Sequence, residues 1–338
     1  MPVMTRRAIL GAIASSPLWI NAAWAQATKL KISHQFPGGT INEGDFRDRL
    51  CRMFAAEVDK RSKGSLKFDI YPGSSLMKTN AQFSSMRKGA LDLSLVPLSY
   101  AGGEMPEVNI GLMPGLVPSY DVGYAWKNAE VGKELNRLLL EKGIVVVSWI
   151  WQAGGVASRS KPIIDPEDAK GMKVRGGSRE MDLILKAAGA AVVTLPSNEI
   201  YAGMQTGAMD AALTSSTSLI SFRLEEVSKA LTTGRGGAYW FMFEPLMMSK
   251  AVFDRLSKEQ QATIMAVGGE LETFARKSAQ EDDSAVAAVY QKAGAKVVDL
   301  TPATVKKWQA IARETAWKDY AAKNANCAKL LSLAEKLL

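Results

Sequence analysis

From residue 29 onward, short runs of β-branched and apolar residues alternate with longer stretches in which apolar positions recur every three or four residues. The first pattern predicts strands and the second amphipathic helices, and their alternation is how the strands and crossover helices of a mostly parallel sheet read in sequence. Residues 30–34 predict a first strand, 46–60 a helix, and 66–71 a second strand closed by Pro72-Gly73. A further helix runs up to Lys88, Gly89 stops it where a left-handed residue is needed, and 91–96 predict the next strand. This unit recurs. Met86-Arg87-Lys88-Gly89-Ala90-Leu91-Asp92 is matched by Met204-Gln205-Thr206-Gly207-Ala208-Met209-Asp210, and each is preceded by a strand, a proline (Pro72, Pro196) and a helix. The expected class is α/β with two related lobes.

The chain should pass between the lobes twice. Residues 143–151, with the buried-strand run Val145-Val146-Val147, predict the first crossing, and the apolar run 240–249 predicts the return. Residues 257–293 read as one very long helix interrupted only by Gly268-Gly269, long enough to span both lobes, with 295–300 as a last strand. Helices from Pro302 onward would brace the outside. The implied division is 26–147 plus 244–285 for lobe I, 148–243 plus 286–300 for lobe II, and 301–338 for the helices across them. A chain of 338 residues, 47% hydrophobic, can fill two cores, because single cores stop growing near ~250–300 residues.

The N-terminus changes the picture of where this happens. Arg6-Arg7, an apolar run over 8–20 and Ala23-Trp24-Ala25 form a cleavable export signal over 1–25, too short in its apolar part for a spanning helix. The paired arginines suit the twin-arginine route, although Sec signals also begin with basic residues. Formal charge is +8, and a mature chain without Arg6 and Arg7 keeps +6, which favours anionic partners. Nucleic acid is not expected, since the basic residues are interspersed with 34 acidic ones and form no stripe. Cys51 and Cys327 are too far apart for a redox pair or zinc knuckle, leaving one long-range disulfide or two buried thiols as alternatives.

Catalytic chemistry lacks parts. His34 is the single histidine, and neither G-x-S-x-G nor H-E-x-x-H occurs. Gly234-Arg235-Gly236-Gly237 lacks the spacing of a phosphate loop and reads as a hinge turn; Glu281-Asp282-Asp283 reads as a solvated helix face, because consecutive helical residues splay apart. Arg175 differs. It ends a short strand predicted at 173–175, and Gly176-Gly177-Ser178 follow at once, giving a ligand backbone room beside a planar guanidinium suited to a carboxylate. A surface arginine in a loop is the competing reading.

Pro162-Ile163 through Asp168, Lys170-Gly171-Met172-Lys173-Val174-Arg175, Ala188-Gly189-Ala190, Glu199-Ile200-Tyr201 and Gln205-Thr206-Gly207-Ala208-Met209-Asp210 together resemble the signature of TRAP-transporter solute receptors of the DctP type. Ser33-His34-Gln35 with Pro37, residues 65–72 and Gly89-Ala90-Leu91-Asp92 extend the resemblance over nearly the whole mature chain. The resemblance implies a two-lobed, periplasmic-binding-protein-like α/β fold with a hinge and a long helix spanning both lobes. It implies a periplasmic receptor that closes on a small organic acid and delivers it to the membrane permease subunits; separately, the chain is expected to be a monomer with no cofactor and no metal-ligating residues. By the same resemblance Arg175 forms a bidentate salt bridge to the carboxylate, and Gln35, Gln152 and Thr214 fall where relatives place polar contacts. Gly155 stands where sugar-acid-binding relatives carry a second arginine, with Arg159 four residues on. Trp149, Trp151 and the run Tyr239-Trp240-Phe241-Met242-Phe243 are expected as apolar cleft walls or hinge packing. Glu244, alone among apolar residues, is expected to accept from a ligand hydroxyl, help hold a cation, or face solvent. Rival readings are a receptor for a sensor kinase and an enzyme on the same scaffold, with Glu244 or His34 as its acid–base group.

Overall fold

The computed structural model describes residues 27–235 and 237–338, so the export segment expected at 1–25 and Gly236 of the glycine-rich turn lie outside the described residues. In chain order the strands are β1 (Thr28–His34), β2 (Leu66–Tyr71), β3 (Leu93–Leu95), β4 (Ile144–Ser148), β5 (Trp151–Gln152), β6 (Gly154–Ser158), β7 (Lys173–Arg175), β8 (Ala191–Val193), β9 (Ala211–Ser215), β10 (Ala230–Thr233), β11 (Met242–Phe243), β12 (Leu246–Ser249) and β13 (Lys296–Asp299). They form one sheet ordered β2-β1-β3-β12-β4, a second ordered β13-β10-β6-β9-β7-β8, and a separate pair of β5 with β11.

The two sheets repeat one plan. β1 lies parallel between β2 and β3, and β7 lies parallel between β8 and β9. The next strand in each sheet, β12 or β6, is antiparallel to both its neighbours. That strand is the one that has just arrived from the other lobe. The duplicated sequence unit accounts for the match in detail: Gly89 and Gly207 both take left-handed φ, at +70° and +78°. The aspartate that follows accepts a backbone N–H from the neighbouring parallel strand, Lys31 N to Asp92 at 2.7 Å and Lys173 N to Asp210 at 2.8 Å.

Side-chain alternation along the second sheet fills both its faces. Val156 and Leu213 pack with Met181, Ile184 and Leu185, whereas Ala157 and Ala212 pack with Ile200, Met204 and Tyr290. Each crossing, expected as one strand, is broken in two. β4 and β5 are separated by Trp149-Ile150, β11 and β12 by Glu244-Pro245, and β5 pairs antiparallel with β11 to form the hinge.

The long helix, Lys258–Lys292, is not interrupted at its glycine pair. Ser257 and Gln260 cap it reciprocally, and Gly268 serves close approach instead of a break: a Cβ there would stand 2.3 Å from the Val147 carbonyl oxygen of β4. Nor is its acidic triplet a solvated face. Glu281 is exposed, but Asp283 is buried and accepts from the Tyr120 hydroxyl at 2.5 Å, and Asp282 accepts from Thr217 at 2.7 Å. Among the described residues no His/Cys/Asp/Glu cluster could hold a metal ion, and no helix is long and apolar enough to cross a membrane.

The last helices, Pro302–Ala312, which continues through a π-helical stretch (Arg313–Trp317) into Lys318–Ala321, and then Ala325–Glu335, touch both halves of the molecule. Trp317 and Tyr320 donate to the carbonyls of Pro114 and Glu107, between β3 and β4. Trp308 donates to Ile164, between β6 and β7, and Arg179 pairs with Asp319. Cys51 and Cys327 are buried free thiols, which resolves the two alternatives left by their spacing.

Candidate functional site

Arg175 closes β7 at the C-terminal end of a parallel strand, where open α/β sheets present ligand-binding groups. The register is set by Lys173, whose N–H is held by Asp210, so the strand can be only three residues long and still place Arg175. Gly177 has φ +92°, and a Cβ on it would lie 2.7 Å from Arg175 Nη1, so only glycine lets the chain run this close to the guanidinium. Ser178 then caps the helix Arg179–Ala187 by accepting from Met181 N.

The Arg175 side chain is 4% exposed. Nε donates to the Leu195 carbonyl at 3.0 Å, Nη1 to the Leu213 carbonyl at 2.8 Å, and Nη2 to the Tyr100 hydroxyl at 2.8 Å. All three acceptors are uncharged. Of the five N–H groups on a guanidinium, these bonds leave one on each terminal nitrogen. Tyr100 sits in the short helical turn Leu98–Ala101 after β3, on the opposite side of the cleft, and also accepts from Ser197 N at 2.9 Å. With two bonds accepted, its own proton remains to be donated. Arg175, Tyr100, Leu213, Thr214, Trp240 and Met242 line a cavity of about 10 Å³. A wider space of about 420 Å³ opens outside Tyr100 and Gly177.

A second polar cluster lies deeper toward the hinge. Glu244, between β11 and β12, is fully buried, with Oε2 accepting from Arg47 Nη1 at 3.1 Å and from Gln152 Nε2. Burial pushes its carboxyl up to about 7, against the opposing pull of Arg47. Arg47, from the helix Phe46–Arg61, is buried over the Phe36 ring at 3.6 Å. It is held by Asp45 at 2.6 Å and also donates to Ser218 at 3.1 Å, across the cleft. Burial works against its charge, but Asp45 and Glu244 more than offset this and hold its pKa above the ordinary arginine value. His34 Nε2 lies 3.0 Å from Asp48 in the same wall. Gln35 is buried with neither amide atom bonded to a described residue.

The structure thus brings Arg175 and Thr214 to one cavity, and Gln152 and Glu244 to the adjoining cluster, with Gln35 buried at the end of β1. Trp151 and Phe241 are placed elsewhere. Trp151 packs between Trp126 and Phe243, both at 5.1 Å, and Phe241 meets Tyr120 edge-on at 5.1 Å. Extended chain alternates its faces, so Trp240 and Met242 reach the cavity while Phe241 and Phe243 turn to the hinge. Tyr100 was missed because nothing local marks it; its role exists only where the other lobe arrives. No side chain fits at Gly155, whose Cβ would stand 2.4 Å from the Thr232 carbonyl oxygen, and Arg159 lies by the outer groove with Tyr201 and Glu226, away from the cavity.

Two α/β lobes, two paired crossings and a buried arginine facing an inter-lobe cavity are the arrangement of a solute-binding receptor. The chain belongs to the bacterial extracellular solute-binding proteins of family 7, whose model matches residues 40–324, and it is a solute receptor of the TRAP type. A solute-binding protein of Albidiferax ferrireducens is 73% identical over 338 residues, 99% of this chain and 100% of its own. A TRAP periplasmic solute binding protein from Rhodoferax ferrireducens, solved with bound malonate, matches with a TM-score of 0.90 at 77% identity, over 91% of this chain and 98% of that one. The 2,3-diketo-L-gulonate-binding periplasmic protein YiaO of Escherichia coli is 27% identical over 266 residues, 77% of this chain and 79% of its own. Each of these relatives is a binding protein.

Proposed function

We propose that this chain captures a small organic carboxylate between its lobes and hands it to the membrane permease of a TRAP transporter, without chemical change to the ligand. The observation that carries the reading is Arg175: a buried guanidinium at an inter-lobe cavity, oriented by three uncharged acceptors, with one N–H left on each terminal nitrogen. Two such donors match a carboxylate's two oxygens, and the pair gains strength in a dry site. Thr214, Gln35, Gln152 and Glu244 complete the polar lining, and Trp151 and Phe241 support the hinge behind it. A cavity of about 10 Å³ has room for about one water, so an acid enters when the lobes part and is enclosed with them slightly further apart than here. The ligand favours the closed form because it touches both sides, and closure in turn marks the receptor as loaded for the permease.

Lobe I is assigned to 26–147 plus 244–285 and lobe II to 148–243 plus 286–300. Residues 1–25 act as a cleaved signal that sends the chain to the periplasm, which mass spectrometry of the exported protein tests by finding, or failing to find, Gln26 at its start. For binding, the mature chain is refolded to strip carried-over ligand and melted against a library of carboxylic acids and their amides. Ligand at ~100 times its dissociation constant adds about 2.7 kcal/mol, an easily read shift. A melt raised by an acid, unmoved by its amide and unresponsive in Arg175→Ala is the expected result. A shift that survives Arg175→Ala, or none with any acid, refutes the reading.

A further inference from the structure

In the Gln152–Glu244 pair, with Glu244 ionised, the atoms left without a partner are both acceptors, while the unpartnered donor Gln35 Nε2 belongs to the separate wall at the end of β1. A carboxylate cannot donate, so the Gln152 amide must turn its nitrogen toward Glu244 Oε2, which leaves Gln152 Oε1 facing away. Gln152 Oε1 and Glu244 Oε1 are both buried without a hydrogen-bond partner among the described residues. Arg47 gives them no spare positive charge, since it already serves Asp45 as well as Glu244. The cluster adjoins the Arg175 cavity through two elements. Gln152 pairs with Met242, which lines the cavity, and Ser215, which accepts from Arg47, follows Thr214. On the third side Gln35 follows His34, which is level with Leu95 of β3, two residues before the lining Pro97.

The geometry points to a ligand whose far end, opposite the carboxylate held by Arg175, carries a hydrogen-bond donor, a hydroxyl or an N–H, and not a second carboxylate. This rests on the Arg175 reading and names the class of acid the same site takes. An ionised second carboxylate would set acceptors against buried acceptors and add a negative charge beside two carboxylates that share one guanidinium. A donor at that end satisfies Glu244 Oε1 or Gln152 Oε1 directly.

The test is calorimetry of the mature wild-type protein in sodium-free buffer at about pH 8, where both malonate carboxylates are ionised. The probes are two acid pairs that differ at the far end: 3-hydroxypropanoate with malonate, and 4-hydroxybutanoate with succinate. The malonate bound by the Rhodoferax ferrireducens relative makes the first pair the sharpest. The hydroxy member is expected to bind at least about tenfold tighter, and Glu244→Gln to cut that ratio below about threefold. Equal or tighter binding of the partner acid overturns the inference while the Arg175 reading stands. So does hydroxy-acid binding that appears only with added sodium, because an ion would then occupy the acceptors. If no member of any pair binds, or Arg175→Ala leaves the affinities unchanged, the Arg175 reading falls and this inference with it.

Discussion

The hydrogen bonds that orient Arg175 all run to uncharged groups and Asp182 acts on it only through space, so in the proposed reading most of its charge is left for the ligand to neutralise. Lysine at this position keeps the charge but cannot reach the Leu195 and Leu213 carbonyls and still offer two parallel donors. Arg175→Lys is therefore expected to weaken acid binding by roughly 2 kcal/mol or more, read by calorimetry, with the melting temperature of the unliganded protein little changed. Glu180 leads to a prediction about pH. It is buried on the helix Arg179–Ala187, bonded to Asn109 of the facing lobe at 3.0 Å, and burial pushes its carboxyl from 4.5 up to about 7. Between those values the folded state binds more protons than the unfolded one, so the contribution is present at low pH and lost as pH rises through about 7. Unfolding free energies are expected to fall between pH 5 and 8 by an amount on the order of 3 kcal/mol from this group, and Glu180→Gln to flatten that slope. Sequence singled out Arg175 through the glycines beside it. It named Phe241 from the aromatic run, whereas Trp240 and Met242 line the cavity, because an irregular crossing does not reveal in sequence which face turns inward.

The glycine pair of the long helix shows what an element needs beyond its own propensity. Gly268 admits the Val147 carbonyl of the crossing strand, whereas the nearest atom to a Cβ on Gly269 is Lys127 Nζ at 3.8 Å. Alanine should therefore act oppositely at adjacent positions. Gly269→Ala is expected to stabilise by about 1 kcal/mol through helix propensity, and Gly268→Ala to destabilise by roughly 1–3 kcal/mol because backbone must move, both measured by denaturant unfolding. In sequence the two glycines are indistinguishable and together suggested a break, since a contact with a strand more than a hundred residues away leaves no local trace. The repeated Gly-Ala-x-Asp unit was legible for the converse reason. Its left-handed stop and its aspartate bond are requirements of one helix-to-strand turn, imposed wherever that turn is made.

At the scale of the molecule, the class and the two-lobed architecture were readable because the pattern of strands and helices is a property of every segment at once. The pairing of the two crossings and the state of the cysteines were not, since they depend on how distant segments meet. Burial raises the thiol pKa of Cys51 and pushes that of Cys327 up to about 11, so neither is reactive in the folded chain. A thiol reagent is expected to modify neither cysteine until denaturant is added and then both, with identical melts in the presence and absence of reductant. A melt lowered by reductant would mean that a disulfide had formed.

The exchange of strands between the sheets also bears on how the protein comes into being. β3 and β4 never touch each other; β12 joins them, and it lies at Leu246–Ser249, about a hundred residues beyond β4. A chain emerging from its N-terminus, at a ribosome or an export channel, therefore holds the first sheet unfinished, with an unpaired edge, until most of the sequence has appeared. The lobes are completed together instead of in turn, and a long-range closure of this kind makes folding slow enough to wait for the whole chain.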